Sequence, residues 1–151
     1  KYDEVIKDLN VLTIEEAKTY LSKFGVDENQ VEIWGSGNPR REFMWSEDMA
    51  DACVYIIEKI DFTNLIKDNN KEIINTHINI GTGKDISIKE LAELIKNIIG
   101  YNGNLYFNIE KPDGTILKQT DINKLSSLGW KYKIELEEGV RKIYEWYKNE
   151  K

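Results

Sequence analysis

The sequence has few of the residues on which several common kinds of site depend. Among its 151 residues there is one cysteine, Cys53, and one histidine, His77. A single cysteine excludes an internal disulfide framework and a cysteine-rich zinc site, and it suits a reducing cytoplasm. A single histidine excludes a Ser-His-Asp triad or a histidine-based metal cluster within the chain. We therefore predict a cytoplasmic protein that binds no metal.

Long apolar runs and an excess of positive charge are also missing. No stretch approaches the roughly 18 to 20 apolar residues that cross a bilayer, and residues 1–10 lack the apolar core of a secretory signal. The 21 basic and 27 acidic residues give a net charge of −6, which repels nucleic acid and anionic membranes. With 40% hydrophobic residues, the chain suffices for one ordinary domain with a core. We predict a soluble domain that binds neither nucleic acid nor a membrane.

Short β-prone runs alternate with helical patterns along the chain. Residues 31–34 and 41–45 form two such runs on either side of the glycine-rich turn Gly35-Ser36-Gly37, and residues 77–80 and 105–108 form two more. Strands that alternate with helices favour an α/β arrangement with short, parallel strands. The fold class predicted from this pattern is therefore α/β.

Capping boxes and helical spacing predict where the main helices begin. Thr13 with Glu16, and Ser87 with Glu90, have the spacing at which each side chain bonds to the backbone N–H of the other residue. A further helix is predicted to begin with Ser46 as its cap. Its half-buried face is expected to carry the apolar residues that recur at helical spacing, namely Met49, Cys53, Ile56, Ile57 and Ile60.

Two segments carry residues suited to a nucleoside diphosphate. In the first, Trp34 precedes the glycine-rich turn, and Arg40 and Arg41 follow it. A flat ring stacks on a base, and a guanidinium offers forked donors to phosphate oxygens. The second segment, residues 111–115 followed by Lys118, places a carboxylate and two ammonium groups on a predicted loop. In both segments these residue types are equally compatible with a purely structural role, and the second segment is equally typical of a solvated turn.

Three other patterns imitate catalytic motifs and are interpreted as structural. Gly81-Thr82-Gly83 lies between a predicted strand and a helix, yet it lacks the third glycine of a dinucleotide-binding turn. Tyr144 and Lys148 have the spacing of the Tyr-x-x-x-Lys pair of some dehydrogenases, but they lie on an amphipathic helix near the end of the chain. Cys53 falls on an apolar helix face, where a cysteine behaves as a small hydrophobe.

Six short pieces of the sequence follow one another in an order typical of one enzyme family. They are residues 31–37 (VEIWGSG), 40–43 (RREF), 47–50 (EDMA), 77–83 (HINIGTG), 111–115 (KPDGT) and 128–130 (LGW). In these pieces the chain resembles the GDP-L-fucose synthase family, which comprises NADPH-dependent GDP-4-keto-6-deoxy-D-mannose epimerase-reductases of the extended short-chain dehydrogenase type. The resemblance covers nearly all of residues 31–147.

The resemblance implies a role for the chain and for four of its residues. Trp34, Arg41 and Lys118 match positions that contact the GDP-sugar, and Asp113 is a fourth candidate for that contact. The family's NADP-binding Rossmann domain and its catalytic residues belong to an N-terminal part that this chain does not match. The chain then corresponds to the C-terminal, substrate-binding part, with residues 1–30 as a partial helical insertion and residues 31–151 as the sugar-nucleotide domain.

The resemblance also implies how the chain behaves. By itself it is expected to hold the GDP-sugar, to bind no cofactor and to catalyse nothing. It is expected to expose an apolar surface that normally faces the missing N-terminal Rossmann domain of a homodimeric enzyme. Two alternatives stay open: a related enzyme acting on another GDP-deoxysugar or heptose, and a non-catalytic module that binds a nucleotide or a protein.

Overall fold

The structure, a computed structural model, describes residues 12–66 and 73–150. The strands within these residues form two small sheets. In the first sheet β1 (Gln30–Trp34) pairs in parallel with β4 (Asn104–Asn108). In the second, β2 (Arg40–Glu42) lies between β3 (Asp85–Ser87), which is antiparallel to it, and β5 (Leu117–Lys118), which is parallel. The predicted α/β fold class with short strands is confirmed. The expectation of parallel strands is right for β1 with β4 and for β2 with β5, and wrong for β2 with β3.

The helices begin largely where the capping signals place them. Over the described residues they are α1 (Ile14–Ser22), α2 (Ser46–Lys59), α3 (Ile88–Ile99), α4 (Asn123–Ser127) and α5 (Leu136–Asn149), with a 3-10 turn at Phe62–Leu65. Both predicted capping boxes are present, at Thr13 and at Ser87. Ser46 is not a cap, because the residue with cap geometry is Trp45. None of these helices is long and apolar enough to cross a membrane.

The core lies where α2, α4 and the segment after α4 meet. Its buried hydrophobic residues are Ala52, Leu125 and Trp130. The Trp130 indole donates to a carboxylate oxygen of Asp51 at 2.9 Å. The buried carboxylate of Asp48 accepts the backbone N–H groups of residues 133 and 134 at 3.0 and 2.8 Å. A buried carboxylate without hydrogen-bond donors is costly. The orientation of α2 that places Asp48 beside residues 133 and 134 is therefore favoured.

The prediction for the buried face of α2 is only partly right. Ile56 and Ile60 are half-buried as expected. Cys53 is exposed, however, and Ile57 is 83% exposed, whereas Ala52 is fully buried. The physical reason is that Asp48 and Ala52 face the core, and that orientation turns Cys53 and Ile57 outward. Periodicity shows that α2 is apolar on more than one side, but it does not show which side is covered.

The predicted strand at residues 77–80 is wrong. The segment pairs with no strand in the part of the chain that the structure describes. Instead, the ammonium group of Lys124 donates to the backbone carbonyls of Asn75 and His77, the latter at 2.7 Å. The isoleucines of the segment pack against the core cluster. Residues 77–80 are therefore held by side chains and core packing rather than by a strand ladder.

Candidate functional site

Trp34 is the last residue of β1, and its side chain is 70% exposed. It is in register with Asn108, the last residue of the parallel strand β4, so both strands end at the same edge. The segment that follows β4 brings the ammonium nitrogen of Lys111 to 5.3 Å from the centroid of the Trp34 ring. The crevice beyond the carboxyl ends of parallel strands is a common ligand site in α/β proteins. Trp34 therefore offers an exposed aromatic surface next to a cation at such a position.

One carboxylate fastens the loop after β4 to the turn after β1. Asp113 accepts the backbone N–H of Ser36 at 2.8 Å on one oxygen and the Ser36 hydroxyl at 2.6 Å on the other. These bonds, first from the side chain and then from the backbone, hold the pKa of Asp113 below its usual value. Gly35 has a φ of +86°, and a Cβ at this position would overlap the Asp113 carboxylate. We call the contact between Asp113, Ser36 and Gly35 the Asp113 clasp.

Arg41 lies against the same loop, on β2. One of its terminal nitrogens donates to the backbone carbonyl of Thr115 at 2.6 Å and to that of Arg40 at 2.7 Å. A Cβ at Gly114 would come within 3.0 Å of the other terminal nitrogen. Lys118, on β5, is the register partner of Arg41. The loop and the second sheet thus bring two cationic side chains together.

The two adjacent arginines have different surroundings. Arg40 donates to the Asp85 carboxylate at 2.6 Å and to that of Glu90 at 3.3 Å. The bond to Asp85 is the main reason why the pKa of Arg40 is raised. Arg41, by contrast, donates to backbone carbonyls, and no carboxylate among the described residues forms an ion pair with it. The charge of Arg41 is therefore available to an anionic ligand, while that of Arg40 serves the fold.

The four predicted site residues lie in one region of the surface, where they are connected through the clasp, the loop and the register of β2 with β5. They are Trp34, Arg41, Asp113 and Lys118. Sequence reasoning missed the part played by Ser36, and it offered Lys111 only as a cationic group on a loop, not as a neighbour of Trp34. Both belong to motifs that the sequence analysis recognised, but Ser36 bonds to a residue 77 positions away, and no local pattern reveals such a pairing. The roles of the four residues as ligand contacts stay predictions.

The Gly81-Thr82-Gly83 turn uses its donors inside the protein. The backbone N–H groups of Thr82 and Gly83 donate to one oxygen of Glu42, the latter at 2.8 Å, and the N–H of Thr120 donates to the other oxygen at 2.8 Å. Burial by itself raises the pKa of Glu42, but these hydrogen bonds outweigh it and leave the pKa below its usual value. The turn already binds an anion of its own chain, so it does not fit a cofactor pyrophosphate.

The remaining imitations of catalytic motifs are Tyr144 with Lys148 on α5, and Cys53 on α2. Lys148 pairs with Glu145 at 2.7 Å, and its ammonium nitrogen lies 4.7 Å from the centroid of the Tyr144 ring. The Tyr144 hydroxyl donates to the backbone carbonyl of Ile99 at 3.4 Å, which joins α5 to α3. Cys53 is exposed on α2 rather than set in an apolar face as predicted. These contacts are typical of structural residues.

Known proteins share both the sequence and the fold. Residues 13–81 match the NAD dependent epimerase/dehydratase family. The chain is 42% identical over 117 residues to the GDP-L-fucose synthase of Escherichia coli (strain K12), covering 78% of this chain and 36% of that protein. It superposes with a TM-score of 0.87 and 50% identity on a GDP-6-OMe-4-keto-L-xylo-heptose reductase from C. jejuni, covering 99% of this chain and 42% of the other. The chain belongs to the NAD-dependent epimerase/dehydratase family.

The likeness to GDP-L-fucose synthases within the epimerase/dehydratase family confirms the resemblance drawn from the six sequence pieces. The GDP-L-colitose synthase of Yersinia pseudotuberculosis is also 34% identical over 151 residues. The match covers 100% of this chain and 46% of that protein. The chain thus spans between about a third and a half of the length of these relatives. The division into residues 1–30 and 31–151 stays a prediction, and residues 1–11 of the predicted helical insertion lie outside the described residues.

Proposed function

We propose that this chain is the GDP-sugar-binding part of a cytoplasmic, NADPH-dependent epimerase/reductase. The observation that carries the proposal is the exposed ring of Trp34 at the ends of two parallel strands, with the Lys111 ammonium nitrogen 5.3 Å from its centroid. Arg41 contacts the same 111–115 loop from the second sheet, where Lys118 is its register partner. The ring stacks on the guanine base, and the forked donors of Arg41 bind the diphosphate together with the ammonium groups. GDP-sugar enzymes among the relatives support the same assignment.

In the complete enzyme this chain binds and orients the nucleotide sugar, while the chemistry belongs to other residues. The proposed reaction is epimerisation of a 4-keto sugar at C3 and C5, followed by reduction at C4 with hydride from NADPH. These steps need a base and an acid within hydrogen-bond reach of the sugar carbons, and a bound nicotinamide. The Gly81-Thr82-Gly83 turn is filled by Glu42, and Tyr144 is bonded to Ile99. The chain alone is therefore proposed to bind no NADP and to turn nothing over.

Two sugars are candidates for the substrate. The first is GDP-4-keto-6-deoxy-D-mannose, the substrate that the GDP-L-fucose synthase resemblance implies. The second is a GDP-4-ketoheptose, which is favoured by the 50% identity to the heptose reductase over 99% of this chain, against 78% coverage for the Escherichia coli fucose synthase. The ratio of kcat/KM for the two sugars, measured with the complete enzyme, decides between them.

We propose that exposed apolar residues on the outer side of α2, in the 3-10 turn after it and at residues 73–74 contact the rest of the enzyme. They are large hydrophobic residues that are more than half exposed, namely Val54, Ile57, Phe62, Ile73 and Ile74. Where exposed large hydrophobic residues form one patch, the patch is typical of an interaction surface. Its neighbour, residues 77–80, is extended and pairs with no described strand. We propose that the N-terminal Rossmann domain covers this surface in a homodimeric enzyme.

The thiol of Cys53 provides a test of that contact. Cys53 is exposed and lies one helical turn from Ile57, on the same side of α2. We expect a maleimide to label Cys53 rapidly in the isolated chain and slowly in the complete enzyme. Equal labelling rates in both would contradict the proposed contact and would favour a free-standing binding module.

Nucleotide selectivity tests the site itself. We expect calorimetry to show tighter binding of GDP than of UDP or dTDP. Arg41→Lys and Arg41→Ala are both expected to raise the Kd about tenfold or more, because charge-assisted hydrogen bonds contribute roughly 1.5 to 3 kcal/mol and an ammonium does not reproduce the fork. Arg141→Lys is the matched control, since Arg141 pairs with Glu137 on α5 at 2.7 Å. Equal or tighter UDP binding by the complete enzyme, or an unchanged Kd in Arg41→Lys, would refute the proposal.

A further inference from the structure

Both oxygens of the Asp113 carboxylate accept hydrogen bonds from the chain itself. Sequence reasoning predicts that Asp113 contacts the GDP-sugar, yet each of its two oxygens accepts a short hydrogen bond from Ser36, at 2.8 and 2.6 Å. The Ser36 hydroxyl is in turn held by the backbone N–H of Asn38, which donates to it at 3.1 Å. The carboxylate is thus bound by groups of the turn that directly follows Trp34.

The loop around Asp113 contacts the two side chains on which the proposed site depends. Two residues before Asp113, Lys111 places its ammonium nitrogen 5.3 Å from the centroid of the Trp34 ring. Two residues after it, the Thr115 carbonyl accepts from the Arg41 guanidinium at 2.6 Å. The clasp therefore lies at the middle of a five-residue segment whose two ends contact Trp34 and Arg41.

Charge gives a way to separate a positioning role from a purely electrostatic one. Asp113 is an anion in a region proposed to bind a diphosphate, so on Coulomb grounds alone its removal would tighten nucleotide binding. If the carboxylate instead keeps the loop in place, its removal weakens binding, because the ligand then has to order the loop. A positioning role and a purely electrostatic effect therefore predict changes of opposite sign, and comparison with Ser36 variants separates positioning from a direct contact.

We infer that Asp113 is a positioning residue, whose clasp on Ser36 holds the 111–115 loop so that Lys111, Trp34 and Arg41 form one binding surface. The inference rests on the proposed nucleotide-binding function of this surface. It replaces the predicted direct contact of Asp113 with an indirect role and adds Ser36 and Lys111 to the functional residues. Gly35 is needed for the same contact, because a side chain at its position would overlap the Asp113 carboxylate.

A double-mutant cycle with GDP as the probe tests the coupling. We expect Asp113→Ala and Ser36→Ala each to raise the Kd of the chain for GDP about tenfold, and the double variant to raise it no further, because each single change already opens the clasp. Asp113→Asn, which keeps an acceptor for the Ser36 N–H, is expected to restore part of the affinity. Glu110→Gln, an equal change of charge on an exposed residue of the same segment, is the control and is expected not to weaken binding.

Other results of the cycle would overturn the inference. Tighter GDP binding by Asp113→Ala would show that only its charge matters. A loss in Asp113→Ala that greatly exceeds that in Ser36→Ala, with the two effects multiplying in the double variant, would show a direct ligand contact. In the complete enzyme the clasp variants are expected to raise KM while leaving kcat unchanged, and a loss confined to kcat would equally contradict a positioning role.

A measurement without ligand separates this inference from the proposed function. In nuclear magnetic resonance spectra of the chain, we expect Ser36→Ala to shift the indole N–H signal of Trp34 and the guanidinium signal of Arg41. Thr82→Val, which removes a hydroxyl from the other glycine-containing turn, is expected to leave both signals in place. If the unchanged chain fails to bind GDP, the proposed function falls while these spectra still test the clasp. Unchanged Trp34 and Arg41 signals in Ser36→Ala would refute the clasp itself.

Discussion

Two glycine-containing turns of this molecule each bind a carboxylate of the chain itself, and they differ in burial and in the number of bonds. Glu42 accepts three backbone N–H groups, from Thr82, Gly83 and Thr120, and the Thr82 hydroxyl at 3.2 Å. Thr82 is only 8% exposed. The Asp113 clasp consists of one N–H and one hydroxyl bond on an exposed loop.

Under the proposed function, similar chemistry stabilises the fold at one turn and a nucleotide-binding surface at the other. The Glu42 contact joins β2, the 81–83 turn and the residues after β5, so its loss separates three parts of the fold. The clasp joins a surface loop to a surface turn, so its loss disturbs the arrangement around Trp34 and little else. Because Glu42 has more hydrogen-bond donors and they are more buried, we expect it to contribute more to the stability of the fold than Asp113 does.

The largest expected effect is at Glu42. Glu42→Gln places an amide N–H₂ among N–H donors and removes charge-assisted bonds, so we expect the free energy of unfolding to fall by about 3 kcal/mol. Urea denaturation measures this change. Asp113→Asn is the matched variant from the clasp and is expected to cost clearly less stability. An equal or greater loss in Asp113→Asn would remove the distinction between the two turns.

Acid pH is expected to separate the turns in a second way. Hydrogen bonds lower the pKa of both carboxylates. The stabilisation that each ionised carboxylate provides is therefore complete above its usual pKa, 4.5 for Glu42 and 3.8 for Asp113, and is lost as the pH falls through the lowered pKa. We expect Glu42→Gln to flatten the acid limb of stability against pH. Asp113→Asn is expected to leave that limb nearly unchanged and to flatten the acid limb of GDP binding. The opposite assignment of the two limbs would contradict our interpretation.

Alanine at Gly35 tests the clasp through its backbone. Gly35 has a φ of +86° and Gly100 a φ of +71°, but a Cβ at Gly100 would meet nothing within 4 Å. Both substitutions carry the left-handed strain of about 1 to 2 kcal/mol, and only Gly35→Ala also displaces Asp113. We therefore expect Gly35→Ala to weaken GDP binding strongly and Gly100→Ala to leave it intact. Equal GDP affinities in the two variants would count against the clasp.

The smallest expected effect concerns the two hydroxyl groups. Thr82→Val removes one of several bonds to Glu42, and we expect it to lower the free energy of unfolding by about 1 kcal/mol without changing GDP binding. Ser36→Ala is expected to show the reverse pattern, with a small change in stability and a clear change in Kd. Thermal unfolding and calorimetry on the same samples measure both quantities. If the two variants behave alike, the turns are not functionally distinct.

Particular residues show how much of this was predictable. The capping boxes at Thr13 and Ser87 and the two strands around Gly35-Ser36-Gly37 were predicted and are confirmed. The sequence also grouped Trp34 with Arg41 and identified the segment that follows β4. It did not show that Arg40 is neutralised by Asp85 while Arg41 is available. That distinction depends on β3, which lies about 45 residues further along the chain.

The local features of this protein are readable from its sequence: helix starts, turn positions, the absence of cysteine and histidine clusters, and a family resemblance. These are encoded locally because their hydrogen bonds and steric limits span only a few residues. The covered face of α2, the carboxylate that each glycine-containing turn binds, and the contact of Ser36 with Asp113 across 77 positions follow from the tertiary structure alone. Such pairings depend on the path of the whole chain, because a donor bonds to whichever acceptor the folded chain brings within about 3 Å.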